Sequence, residues 1–144
     1  MVTTAAFSTD PEATFDPMTQ TSPPAVAMKQ RLRADLGGAL RDKDRPLATV
    51  LRGLIARLDN AEAPPLDPEA PGYSERRSGD PDVEVRRREL SAAEVEALLR
   101  RERDERLAGS AELVRLGRAD AARALVEEAQ LIEPYLASAE DPAR

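Results

Sequence analysis

Residues 90–136, LSAAEVEALLRRERDERLAGSAELVRLGRADAARALVEEAQLIEPYL, read as two helical stretches hinged at Gly117-Arg118-Ala119-Asp120. The first marks its own start. In Ser91-Ala92-Ala93-Glu94 the Ser91 hydroxyl can accept the Glu94 amide while the Glu94 carboxylate returns to the Ser91 amide, a capping box. Leu90 and Val95 stand where a hydrophobic staple needs them. Val95, Leu98, Leu99, Leu113 and Leu116 then share one face at the helical period. Gly117 suits a left-handed residue closing that helix, and Asp120 lies near the amino end of the next, where its charge meets the positive end of the dipole. Ala121, Leu125, Ala129, Ile132 and Leu136 form the second stripe, and Pro134, with no amide to donate, is expected to end or kink the helix near Ile132 or Glu133.

The middle of the first stripe breaks the pattern. Seven consecutive charged residues run from Arg100 to Arg106, and at about 100° per residue Glu102 and Arg106 fall under the leucines. They are spaced i,i+4 with the acid first, the better order for an intrahelical ion pair. One reading of the run is a solvated helix face. The other places Glu102 and Arg106 as a polar insert in the packing surface, fixing register or contacting a partner.

Upstream, Met28, Leu32, Leu36, Ala39 and Leu40 make one stripe, with Ser22 before Pro23-Pro24 as its expected cap. Asp42-Lys43-Asp44 is the turn into a second helix, where Asp44 can cap and Pro46 is tolerated in the first turn. Leu47, Val50, Leu51, Leu54, Ile55 and Leu58 give the cleanest amphipathic pattern in the chain, with Arg52 and Arg57 on either side of it. Asp59-Asn60 is expected to end it. Residues 61–82 then carry Pro64, Pro65, Pro68, Pro71 and Pro81 with Gly72 and Gly79, a composition that forbids a long regular element. Val83 to Leu90 alternates as an extended stretch would, without a second strand-like run to pair with. Arg86-Arg87-Arg88 reads as a solvated triplet or as a phosphate contact.

The expected architecture is therefore all-α: two antiparallel hairpins, with helices near 24–42, 45–60, 91–116 and 119–133. The expected organisation is a disordered tail over 1–22, a helical domain over 23–136 with a Pro-rich insertion at 61–89, and a short polar tail over 137–144. Aromatic residues are scarce, with two Phe, two Tyr and no Trp, so Leu, Val, Ile and Ala must build the core. The absence of Cys excludes thiolate chemistry and disulfides, and the absence of His removes the commonest general base and zinc ligand. No metal or cofactor is expected. No apolar run is long enough for a bilayer and no signal-peptide pattern opens the chain, so a cytoplasmic protein without a membrane partner is the expectation. The net charge is −6, yet Met28 to Asn60 holds eight Lys and Arg against four Asp. A basic first hairpin inside an acidic protein is the one charge asymmetry that points to a partner.

The motifs in order resemble the GatB/YqeY family. Asp35-Leu36, Ala39-Leu40, Asp42-Lys43-Asp44-Arg45 and Leu51-Arg52 are similar to its first hairpin; Arg106, Gly117-Arg118-Ala119-Asp120 and Tyr135-Leu136 stand where its second hairpin has an Arg after a charged run, Gly-Arg-x-Asp and Tyr-Leu-Pro. Ala137 replaces that Pro, Ala108 and Leu125 occupy places where the family often has Glu, and the small helical tail that follows in family members is expected to be missing. The resemblance implies kinship with the glutamine-dependent tRNA amidotransferase, a carbon-nitrogen ligase with glutamine as amido-N-donor. It does not imply an autonomous enzyme. The expectation is a non-catalytic accessory module, contacting tRNA or an amidotransferase or translation complex through residues among Arg52, Arg86, Arg87, Arg88, Arg106 and Arg118. Ser91, Glu94, Glu102, Gly117, Asp120 and Tyr135 are the structural motif residues. The alternative is a protein-interaction bundle, self-associating or bound to another protein, unrelated to tRNA.

Overall fold

The computed structural model describes residues 22–65 and 87–137. The readings made for residues 1–21, 66–86 and 138–144, Arg86 among them, lie outside the described residues. Four helices follow in order: α1 (Pro24–Arg41), α2 (Arg45–Glu62), α3 (Ala92–Arg115) and α4 (Ala119–Ala137). They pair as the sequence predicts, α1 against α2 and α3 against α4. Helix α3 touches all the others, and so does α2, which reaches both α3 and α4 across the hairpins. Its amphipathic stripe explains this position: Val50, Leu51, Leu54 and Leu58 are fully buried, with Leu47 and Ile55 packed at their margin. Leu32 from α1, Val95 and Leu99 from α3, and Ile132 and Leu136 from α4 close around them.

Both tight turns use the same closure. In the first, the Asp44 amide donates to the Ala39 carbonyl at 2.8 Å and the Lys43 amide to Leu40 at 3.4 Å; in the second, Arg118 donates to Leu113 at 2.8 Å and Gly117 to Val114 at 3.0 Å. This is the Schellman pattern, whose central residue must be left-handed. Gly117 adopts φ +70° without penalty. The first turn places Lys43 there, at φ +59°, where a side chain carries strain. The helix starts also follow the reading: the Asp44 carboxylate accepts the Leu47 amide at 3.1 Å, and both bonds of the Ser91/Glu94 capping box form. The Ser91 amide holds the Glu94 carboxyl below its ordinary range. Leu90 and Val95 are buried together.

Several expectations require correction. Pro23, not Ser22, occupies the cap of α1, and no side chain accepts an amide there. Helix α2 runs two residues beyond Asn60 because Glu62 is held from two sides: Lys29 Nζ reaches its carboxylate at 2.5 Å and the Arg88 amide its carbonyl at 2.9 Å. Helix α4 continues through Pro134 to Ala137. Pro134 and Gln130 lie on the exposed side, where the carbonyl that loses its donor can meet water, and the added turn buries Tyr135 and Leu136. Leu40 and Leu116 leave their stripes and stand 51 % and 64 % exposed, each at the end of its helix beside a turn. At the start of α4 the buried residue is Ala122, with Ala121 half-buried.

Polar groups also tie the helices together. Buried Lys29 bridges α1 to Asp59 at 3.0 Å and to Glu62. Burial works against its charge, but the hydrogen bonds to Glu62 and Asp59 outweigh it and hold the ammonium above its ordinary range. A raised folded value means that its contribution is fully present below the unfolded value near 10.5 and is lost as pH rises through the folded one. The stability difference between the wild type and Lys29→Met, read from urea midpoints, is expected to be constant from neutral pH into the mildly alkaline range and to shrink above it. A difference that shrinks with acidification alone would contradict this. Tyr135 joins α4 to α1, which make no close backbone approach. Its hydroxyl donates to Asp35 at 2.6 Å, and the Arg31 guanidinium lies 4.7 Å from its ring centroid. Burial, with the Asp35 carboxylate added, pushes that phenol well above its ordinary range.

Candidate functional site

Arg57 of α2 meets Glu102 of α3, and Gly53, one turn earlier, faces Arg106, so α2 and α3 run antiparallel. Helix α4 returns antiparallel to α3 across the turn at 116–118 and so runs parallel to α2, with Arg45 and Thr49 sharing a groove with Ala124, Glu127, Glu128 and Leu131. The two hairpin turns therefore lie at the same end of the bundle. At that end Ala39, Leu40, Lys43, Asp44, Arg45, Ala48, Thr49 and Arg52 line a notch of about 440 Å³.

The local sequence explains who lines it. Lys43 is carried outward by its left-handed backbone, and Arg45 and Arg52 stand on the exposed side of α2, off the buried stripe. Among the described residues none of these three cations has an ion-pair partner. The polar neighbours are already engaged: Asp44 caps α2, and the Thr49 hydroxyl donates to the Arg45 carbonyl at 2.9 Å. With Leu40 and Ala48 as an apolar floor, the notch offers charge-assisted donors to an anion such as a phosphoryl group. Glu127 and Glu128 stand on the far side of Arg45 and bound the positive field there.

The other sequence-predicted residues divide by place. Arg52 lies in the notch. Arg118 is exposed at the neighbouring turn without lining it. Arg87 and Arg88 sit at the opposite end, Arg87 at 3.9 Å from Asp59 and 3.8 Å from Glu62, and Arg88 on the Glu94 carboxylate. Arg106 is engaged inside the bundle. It donates to Glu102 at 3.0 Å and to Glu128 at 3.3 Å, while Arg57 reaches Glu102 at 2.7 Å. Glu102 is 7 % exposed, so this pair is a polar insert among the packed helices, whereas Arg100, Arg101, Asp104 and Glu105 of the same run face outward. Sequence reasoning left Lys43 and Arg45 out of the contact set although the excess of cations over Met28 to Asn60 pointed at their hairpin. It also passed over the Lys29, Asp59 and Glu62 cluster, for which no local pattern gives a signal.

Among the described residues no group of acidic side chains is arranged to hold a metal ion, and no helix is long and apolar enough to cross a membrane. No family model matches the chain, and neither a curated protein nor a solved structure does.

Proposed function

We propose that this chain is a non-catalytic helical accessory module of GatB/YqeY kinship that contacts the phosphates of RNA, tRNA in the first place, through the basic turn of its first hairpin. The observation that carries the reading is the clustering of Lys43, Arg45 and Arg52 around one notch, without an ion-pair partner among the described residues; Lys29, Arg57, Arg103 and Arg106 are matched by carboxylates, and Arg33, Arg41, Arg118 and Arg123 are likewise unmatched but do not line the notch. Unmatched cations at a strained turn in a protein of net charge −6 are a feature with a use. The notch residues also carry the family resemblance of the first hairpin, Asp42 to Arg45 and Leu51-Arg52.

Binding of tRNA is expected to fall linearly on a log-log plot against salt. Lys43→Ala/Arg45→Ala/Arg52→Ala should weaken it by about tenfold or more and reduce the slope by roughly 2 to 3. Arg87→Ala/Arg88→Ala, at cations already engaged, should do less. Affinity and slope unchanged in the triple variant, or no tRNA binding by the wild type, would refute the reading. The alternative, a protein-interaction bundle, draws on the exposed Leu107, Val114 and Leu116 along α3; a co-purifying protein released by their replacement with Ser, together with no tRNA binding, would favour it.

A further inference from the structure

The outer face of α3, opposite the core, carries Ala97, Arg101, Asp104 and Ala108, all exposed and lining one shallow surface with Arg100 and Glu105. Their spacing of four, three and four residues is the seam of a two-helix coiled coil. The order of types is a palindrome: small, basic, acidic, small. We propose that this face docks on the same face of a second copy of the chain, with the two α3 helices antiparallel about a two-fold axis between Glu102 and Arg103.

In that register Arg101 of each copy faces Asp104 of the other, and Ala97 faces Ala108, twice over. The small side chains let the helices approach closely, and the two central layers become cross-chain ion pairs. A parallel arrangement would set Arg101 against Arg101 and Asp104 against Asp104, so the charge pattern selects the antiparallel one. Arg101 and Asp104 are well placed to exchange partners. Their side chains are 81 % and 56 % exposed, and their present partners, Glu105 at 2.9 Å and Arg103 at 2.7 Å, are neighbours on the same helix. Such surface pairs contribute little to the single chain. Leu107, 42 % exposed, borders the seam and would be covered by the pairing. The assembly sets the two basic turns at opposite ends and does not depend on their binding RNA.

The chain has no cysteine, which makes the test clean. Mixing Ala97→Cys and Ala108→Cys proteins under mild oxidation should give a mixed disulfide. Ala97→Cys alone should give none, since its two copies would stand roughly 16 Å apart along the axis at 1.5 Å rise per residue. In sedimentation at low salt the wild type should associate with concentration. Asp104→Arg should weaken that by about tenfold or more, and Arg101→Asp/Asp104→Arg, which exchanges the charges, should restore it. These positions are exposed, so unchanged circular dichroism separates loss of pairing from loss of fold. A wild type that stays monomeric at all concentrations, a disulfide in Ala97→Cys alone, or no recovery in the exchanged variant would each overturn the proposal.

Discussion

Glu102→Lys should destabilise the bundle by about 3 kcal/mol, the lower end of the range for breaking a buried ion pair because Arg57 remains half-exposed. Glu102 is the shared acceptor at the junction of three helices. Arg57 reaches it from α2 and Arg106 from its own helix, and Arg106 also extends to Glu128 on α4. A lysine there would leave three cations together, two of them poorly hydrated, with only Glu105 and Glu128 near enough to offset them. At exposed Glu112, whose partner is the neighbouring Arg115, the same change should stay within about 0.5 kcal/mol. Urea unfolding of both variants decides it. Equal costs at the two positions would mean that Glu102 is not part of the packing surface.

Leu51→Ala should cost a comparable amount, about 2 to 5 kcal/mol, through a cavity at the centre of the core. Leu51 has no exposed surface and lies on α2, which contacts all three other helices. The same truncation at Leu40, half-exposed beside the notch, should be felt within about 0.5 kcal/mol. If both truncations cost the same, Leu51 does not sit at the centre of the core.

The parts legible in the sequence are those where a local rule decides. Leu47 to Leu58 has one periodic face and no competing pattern, and Ser91 and Glu94 complete their capping box within four residues. Gly117 is the residue type its left-handed position requires. Pro134 misleads because the local penalty of about 3 kcal/mol is set against the burial of Tyr135 and Leu136, with Tyr135 held by Asp35 and Arg31 of α1. Leu40 fits the α1 stripe by period, but a helix end beside a turn has nothing above it to bury against. The notch was half legible. The excess of cations over Met28 to Asn60 marks the hairpin, yet which of them stay free depends on carboxylates far along the chain, with Arg57 matched by Glu102 and Lys29 by Glu62. No local pattern encodes those partners.

Lys43 joins the fold to the proposed function, because its left-handed backbone is a strain that glycine would relieve. The most direct measurement is therefore Lys43→Gly, followed in parallel by thermal unfolding and by tRNA binding at low salt. The variant should be more stable by about 1 kcal/mol and bind tRNA more weakly and with a shallower salt dependence. A variant that is less stable, or one that binds as tightly as the wild type, would contradict this.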